Sequence, residues 1–70
     1  MKMKLRDKIL ITVQKKHAAL MDEALVNIDV YENSVGIGEH SDIVEAVEAQ
    51  VEKYVHSQEI VDAIDHILND

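Results

Sequence analysis

The chain of 70 residues has no cysteine, no proline, no tryptophan and no phenylalanine, and it has only two glycines. Without cysteine there is no disulfide, no thiolate zinc site and no thiol nucleophile. Without proline nothing breaks a helix by removing a backbone donor. Aromatics are 3% of a chain that is 47% hydrophobic, so any core is built from Ala, Val, Ile and Leu. That is the balance of packed helices rather than of a disordered acidic tail. No stretch approaches the ~20 apolar residues of a membrane span. The apolar run behind the basic N-terminus, residues 9–13, contains Thr12 and then meets Gln14, Lys15 and Lys16, too short and too polar for a signal-peptide core. The expectation is a soluble, cytoplasmic chain in a reducing compartment, with no membrane contact. It forms a single domain, residues 1–70, small enough to need a partner chain for comfortable stability.

Both glycines fall in residues 35–41, the sequence VGIGEHS. Gly36 suits the left-handed position just past a helix end, and Ile37 can then fold back over the last turn. Gly38 belongs to the same turn. Ser41 or Asp42 can cap the next helix, with Glu45 three residues after Asp42 at capping-box spacing.

On either side the hydrophobic pattern is helical. Residues 2–33 place Ile9, Leu10, Val13, His17, Leu20, Met21, Ala24, Ile28 and Tyr31 on one broad stripe. Ile11, Ala18 and Leu25 form a thinner second row at spacing seven. Residues 42–69 are less regular: Ile43, Val44, Val47, Val51, Tyr54 and Val55 point one way, and Ile60, Ile64, Ile67 and Leu68 point about 100° round from them. A heptad thread joins the halves, Val47, Tyr54, Val61 and Leu68 in one register and Ile43, Gln50, Ser57 and Ile64 in the other. Two readings follow: a continuous helix, which the absence of Gly and Pro favours, or a break near His56-Ser57 with Ser57 capping a third short helix.

Two such helices joined by a short loop fold back antiparallel. Pairing outward from the corner sets Tyr31 near Val44, Ala24 near Val51, Met21 near Tyr54, Val13 near Val61 or Asp62, and Leu10 near Ile64 or Asp65. Charge is split along the chain. Residues 1–16 hold six basic residues against Asp7, a net of +5, while residues 17–70 hold Lys53 against 13 acids, a net of −12. The hairpin sets the basic start beside the acidic end with Glu59, Asp62, Asp65 and Asp70, where the two offset one another.

His17 interrupts the apolar stripe, and the register sets it opposite Ser57 and Gln58, a polar core layer of the kind that fixes register. A pH-sensitive or ligand-contacting site is the functional counterpart. His56 and His66 each follow an acid by four residues, Glu52 and Asp62, a spacing that can hold a divalent metal. They fall on a polar side with Glu45, Glu48 and Glu59, so a solvated face is the simpler account. No metal or cofactor is expected. His40 reads as a surface or capping residue of the corner. Gly36-Ile37-Gly38 lacks the Lys-Ser/Thr and preceding strand of a phosphate loop. No Ser, His and Asp spacing argues for a nucleophile, and the chain is read as non-enzymatic. Lys2, Lys4, Arg6 and Lys8 spread round a helix without aromatic partners, so direct nucleic-acid binding is not expected.

Residues 27–33 (NIDVYEN), followed by residues 35–50 (VGIGEHSDIVEAVEAQ), resemble small helical proteins of uncharacterised role encoded by tailed phages, especially T4-like phages of marine bacteria. The resemblance implies a viral accessory protein made in a bacterial cytoplasm. It supplies no activity and no site residues.

The expected architecture is an all-α antiparallel two-helix hairpin that associates with itself into a helical bundle, a dimer being the simplest form. Ile11, Ala18, Leu25, Val44, Val51, Val55, Ile60 and Ile67 are the expected oligomer interface, because one hairpin cannot cover them. The leading function is a protein-interaction module for a host or viral protein. The alternatives are an acidic decoy that occupies a nucleic-acid-binding protein through Glu45, Glu48 and Glu52, and a helical oligomer that sequesters a ligand or metal with His17, His56 or His66.

Overall fold

The computed structural model describes residues 3–33 and 40–70, with the side chains of His40 and Ser41 outside the description. Two helices account for nearly all of it: α1, Leu5–Asn33, and α2, His40–Leu68. Each runs for 29 residues, about 43 Å at 1.5 Å per residue. Among the described residues there is no strand. The molecule is a thin rod, 55 × 16 × 12 Å.

Neither helix contains Gly or Pro, and both carry many Val and Ile, whose stiff side chains lower helix propensity slightly. Packing along a shared seam therefore does more for these helices than local preference does. The ends are tied locally. Lys8 N–H donates to the Lys4 carbonyl and Asn69 N–H to the Asp65 carbonyl, each at 3.1 Å. The Asn33 amide donates to the Asp29 carbonyl at 2.9 Å, satisfying one acceptor of the last turn of α1. Asp7 and Asp42 lie in the first turns of their helices, favourably for the dipole.

α2 is unbroken through His56 and Ser57, so the continuous reading holds and Ser57 caps nothing. α2 also begins at His40, two residues before the expected start. Ser41 and Asp42 are thus inside its first turn, and neither is the residue ahead of the helix that would cap it. Gly36 and Gly38 lie outside the described residues.

Cross-helix contacts from four residues of α1 define the packing. Gln14 meets Val61 and Asp65, His17 meets Ser57, Glu23 meets Lys53, and Asn27 meets Gln50. Partner numbers fall steadily as numbers in α1 rise, which makes the hairpin antiparallel and puts its register within a residue or two of that expected from the corner.

The seam follows two heptad rows in each helix. In α1 these are Leu10, His17, Ala24 and Tyr31 beside Asp7, Gln14, Met21 and Ile28. In α2 they are Ile43, Gln50, Ser57 and Ile64 beside Val47, Tyr54, Val61 and Leu68. All are buried or half-buried. Ala24 (0% exposed), Ser57 (1%) and Ile64 (5%) are the fully buried ones. Small residues at two of these three positions let the helices approach closely.

Candidate interaction surface

The seam carries several polar side chains, and those reaching across it are hydrogen-bonded. The Gln14 amide donates to the Val61 carbonyl at 3.0 Å and to Asp65 Oδ1 at 2.7 Å. Asn27 Nδ2 donates to Gln50 Oε1 at 3.0 Å. His17 Nδ1 lies 3.2 Å from Ser57 Oγ, the donor being the ring N–H or the hydroxyl according to tautomer. The His56 ring stands edge-on to His17, centroids 6.1 Å apart at 77°. Among the described residues no buried side-chain N or O lacks a hydrogen-bond partner. Such rungs specify register, because any slip would leave buried polar atoms unpaired.

Gln58, expected in this layer with His17 and Ser57, is exposed. One residue beyond Ser57 it has turned about 100° off the seam. Ile9 (55% exposed) and Val13 (36%) likewise stand outside the stripe assigned to them, while Gln14 occupies a seam position and Asn27 lies half-buried at the seam's edge. Val44, Val51 and Val55, expected at an oligomer interface, are exposed in the hairpin at 63%, 46% and 44%. The inward positions there go to Ile43, Val47, Gln50 and Tyr54.

The expected charge pairing is also different in detail. Among the described residues the ion pairs are Arg6 with Asp7 within one turn and Lys53 with Glu23 between helices. The lysines at the start of α1 point away from the seam and are exposed. It is the neutral Gln14 that reaches Asp65.

Two contacts identify the flanks of the rod. Gln14–Asp65 marks one side of the seam and Glu23–Lys53 the other. At 100° per residue, Ile11, Ala18 and Leu25 of α1 fall on the Gln14–Asp65 flank, and so do Val44, Val51 and Val55 of α2. Ile60 and Ile67 fall on the opposite flank, with Ile9 and Val13. The eight residues expected at an interface thus divide between two surfaces. Ile11 and Ile60 are half-buried in the hairpin already, and the other six are exposed.

Glu45, Glu48, Glu52 and Glu59 are exposed and share the outer face of α2, opposite the seam. His56 and His66 are exposed as well, and His17 is half-buried. No group of three or more His, Cys, Asp or Glu side chains among the described residues is arranged to hold a metal ion. No helix is long and apolar enough to cross a membrane, and no pocket is present in the described structure.

The class defined by these features is an antiparallel α-helical hairpin with a polar-runged seam and apolar flanks. Compared with protein-family models, curated proteins and solved structures, the chain shows no significant match to any of them.

Proposed function

We propose that this protein is a non-catalytic, self-associating helical interaction module, a phage-encoded accessory protein of the bacterial cytoplasm that binds a host or viral protein. The observation that carries the reading is the imbalance of apolar surface. Among the described residues eleven large hydrophobic side chains are exposed, while Ala24 and Ile64 are the apolar residues that are buried. Accessible area makes the same point. The chain exposes 5533 Å², whereas a compact monomer of its 7.9 kDa exposes about 4,400 Å². The excess, roughly 1,100 Å², exceeds what each partner contributes to a standard interface, about 800 Å². At ~25 cal/mol per Å² of apolar area, covering a few hundred Å² contributes several kcal/mol, comparable with the whole stability of a small domain. Folding and association are therefore coupled.

Sedimentation equilibrium and far-ultraviolet circular dichroism over a dilution series test this. Helicity lost together with the oligomer is the expected result. A stably folded monomer at micromolar concentration overturns it.

The exposed Glu45, Glu48 and Glu52 favour one second reading, an acidic decoy for a nucleic-acid-binding protein. It requires strongly salt-dependent capture of a basic partner, abolished when the three glutamates are reversed to lysine together.

A further inference from the structure

Resting on the self-association just proposed, we infer that the second copy docks on the Leu25–Val51 flank about a two-fold axis parallel to the rod, with both corners at the same end. α1 of one protomer then lies over α2 of the other, and every helix has antiparallel neighbours in a four-helix bundle.

Three observations select this flank and this symmetry. The first is continuity. Leu25 (52% exposed), Val44 (63%), Val51 (46%) and Val55 (44%) cluster in the half of the rod toward the corner. Ala18 and Ile11 extend the row toward the open end. The opposite flank is divided, its Ile9, Val13, Ile60 and Ile67 separated from Val30 by the Glu23–Lys53 ion pair. Burying that flank would desolvate two charges, which the first flank does not require at its centre.

The second is height along the axis. The cross-helix contacts place Leu25 level with about residue 51 of α2. A two-fold along the rod preserves height, so Leu25 of one protomer meets Val51 of the other, twice per dimer. The apolar halves then coincide. A two-fold across the rod would instead set Leu25 on Leu25 and Val51 on Val51, and lay Val44 on Gln58.

The third is charge. Lys8 and Lys15 border the α1 row toward the open end, and Asp62 and Asp65 border the α2 row at the same heights; all four are exposed. The axis along the rod brings the lysines of one protomer over the aspartates of the other. The axis across the rod lays α1 over α1 and α2 over α2, so the lysines of one protomer no longer meet these aspartates of the other. The arrangement chosen does set Asp29 level with Glu48, and it lays Glu32, the next residue of the Leu25 row, beside Val44 and near Glu48, like-charge approaches at the rim of the corner end.

The absence of cysteine makes the test direct. Leu25→Cys and Val51→Cys chains are prepared separately, one of them isotopically labelled, mixed in denaturant, refolded together and oxidised. Sedimentation and circular dichroism first establish that each variant is a folded oligomer. The expected product is the mixed disulfide, Leu25→Cys to Val51→Cys, in large excess over either like-with-like dimer. Predominant like-with-like cross-links overturn the axis. Dimers that cross-link at neither position, but do so through Val13→Cys, overturn the flank. A folded monomer overturns self-association itself, a separate outcome. As a second measurement, Lys15→Glu weakens the dimer several-fold and adding Asp62→Lys restores it. No restoration counts against the pairing of α1 over α2.

Discussion

His17 Nδ1 and Ser57 Oγ, forty residues apart in the chain, meet at 3.2 Å in the middle of the seam. Ser57 is 1% exposed, so its hydroxyl has little recourse to water. The pair is a registry device whose value lies in what its loss leaves behind. His17→Ala is expected to cost about 1–3 kcal/mol. His17→Leu combined with Ser57→Ala should recover most of that, since removing both polar partners leaves nothing unsatisfied. Urea unfolding at one fixed chain concentration gives the coupling; effects that add within ~0.3–0.5 kcal/mol would mean the two do not interact.

Ala24 is 0% exposed, in the middle of the seam. Ala24→Leu has no room and should lower stability by about 1–3 kcal/mol despite its good helix propensity. The denaturation midpoint reads this. An unchanged or raised midpoint would show that the seam has slack at that height.

Ile64 and Ile67 are three residues apart and differ in burial, 5% against 43% exposed. Truncating Ile64 to Ala should cost about 2–5 kcal/mol, toward the lower end in so thin a core. Ile67→Ala should cost clearly less. Equal midpoint shifts for the two variants would contradict the assignment of Ile64 to the seam and Ile67 to a flank.

Glu23 and Lys53 pair across the helices with side chains 57% and 28% exposed. Solvent screening limits such a pair, and a double-mutant cycle should return about 0.2–1 kcal/mol. The coupling should shrink when the same cycle is run in molar salt. A coupling that persists there would point to a drier environment than the hairpin provides.

The helices and their antiparallel pairing were legible because they follow from local properties: no proline, two glycines confined to one corner, and apolar residues at steps of three and four. The α2 heptads Val47, Tyr54, Val61, Leu68 and Ile43, Gln50, Ser57, Ile64 were legible too, and every one of them lies in the seam. The meeting of His17 with Ser57 followed from counting outward from the corner. The roles of Gln14 and Asn27 were not legible. Polar residues at the edge of an apolar stripe look like solvent-facing neighbours until a partner such as Asp65 or Gln50 is placed opposite them.

By itself the sequence determined two long helices, the place where the chain reverses, and an apolar surplus too large for one seam. Only the tertiary structure decided which edge of each stripe faces inward: Gln14 rather than Val13, and Ser57 without Gln58. The reason is geometric. A straight helix drifts ~20° per heptad against a seven-residue repeat. Over four heptads that drift approaches the 100° between successive residues, so the inward position at each height is set by the neighbouring helix.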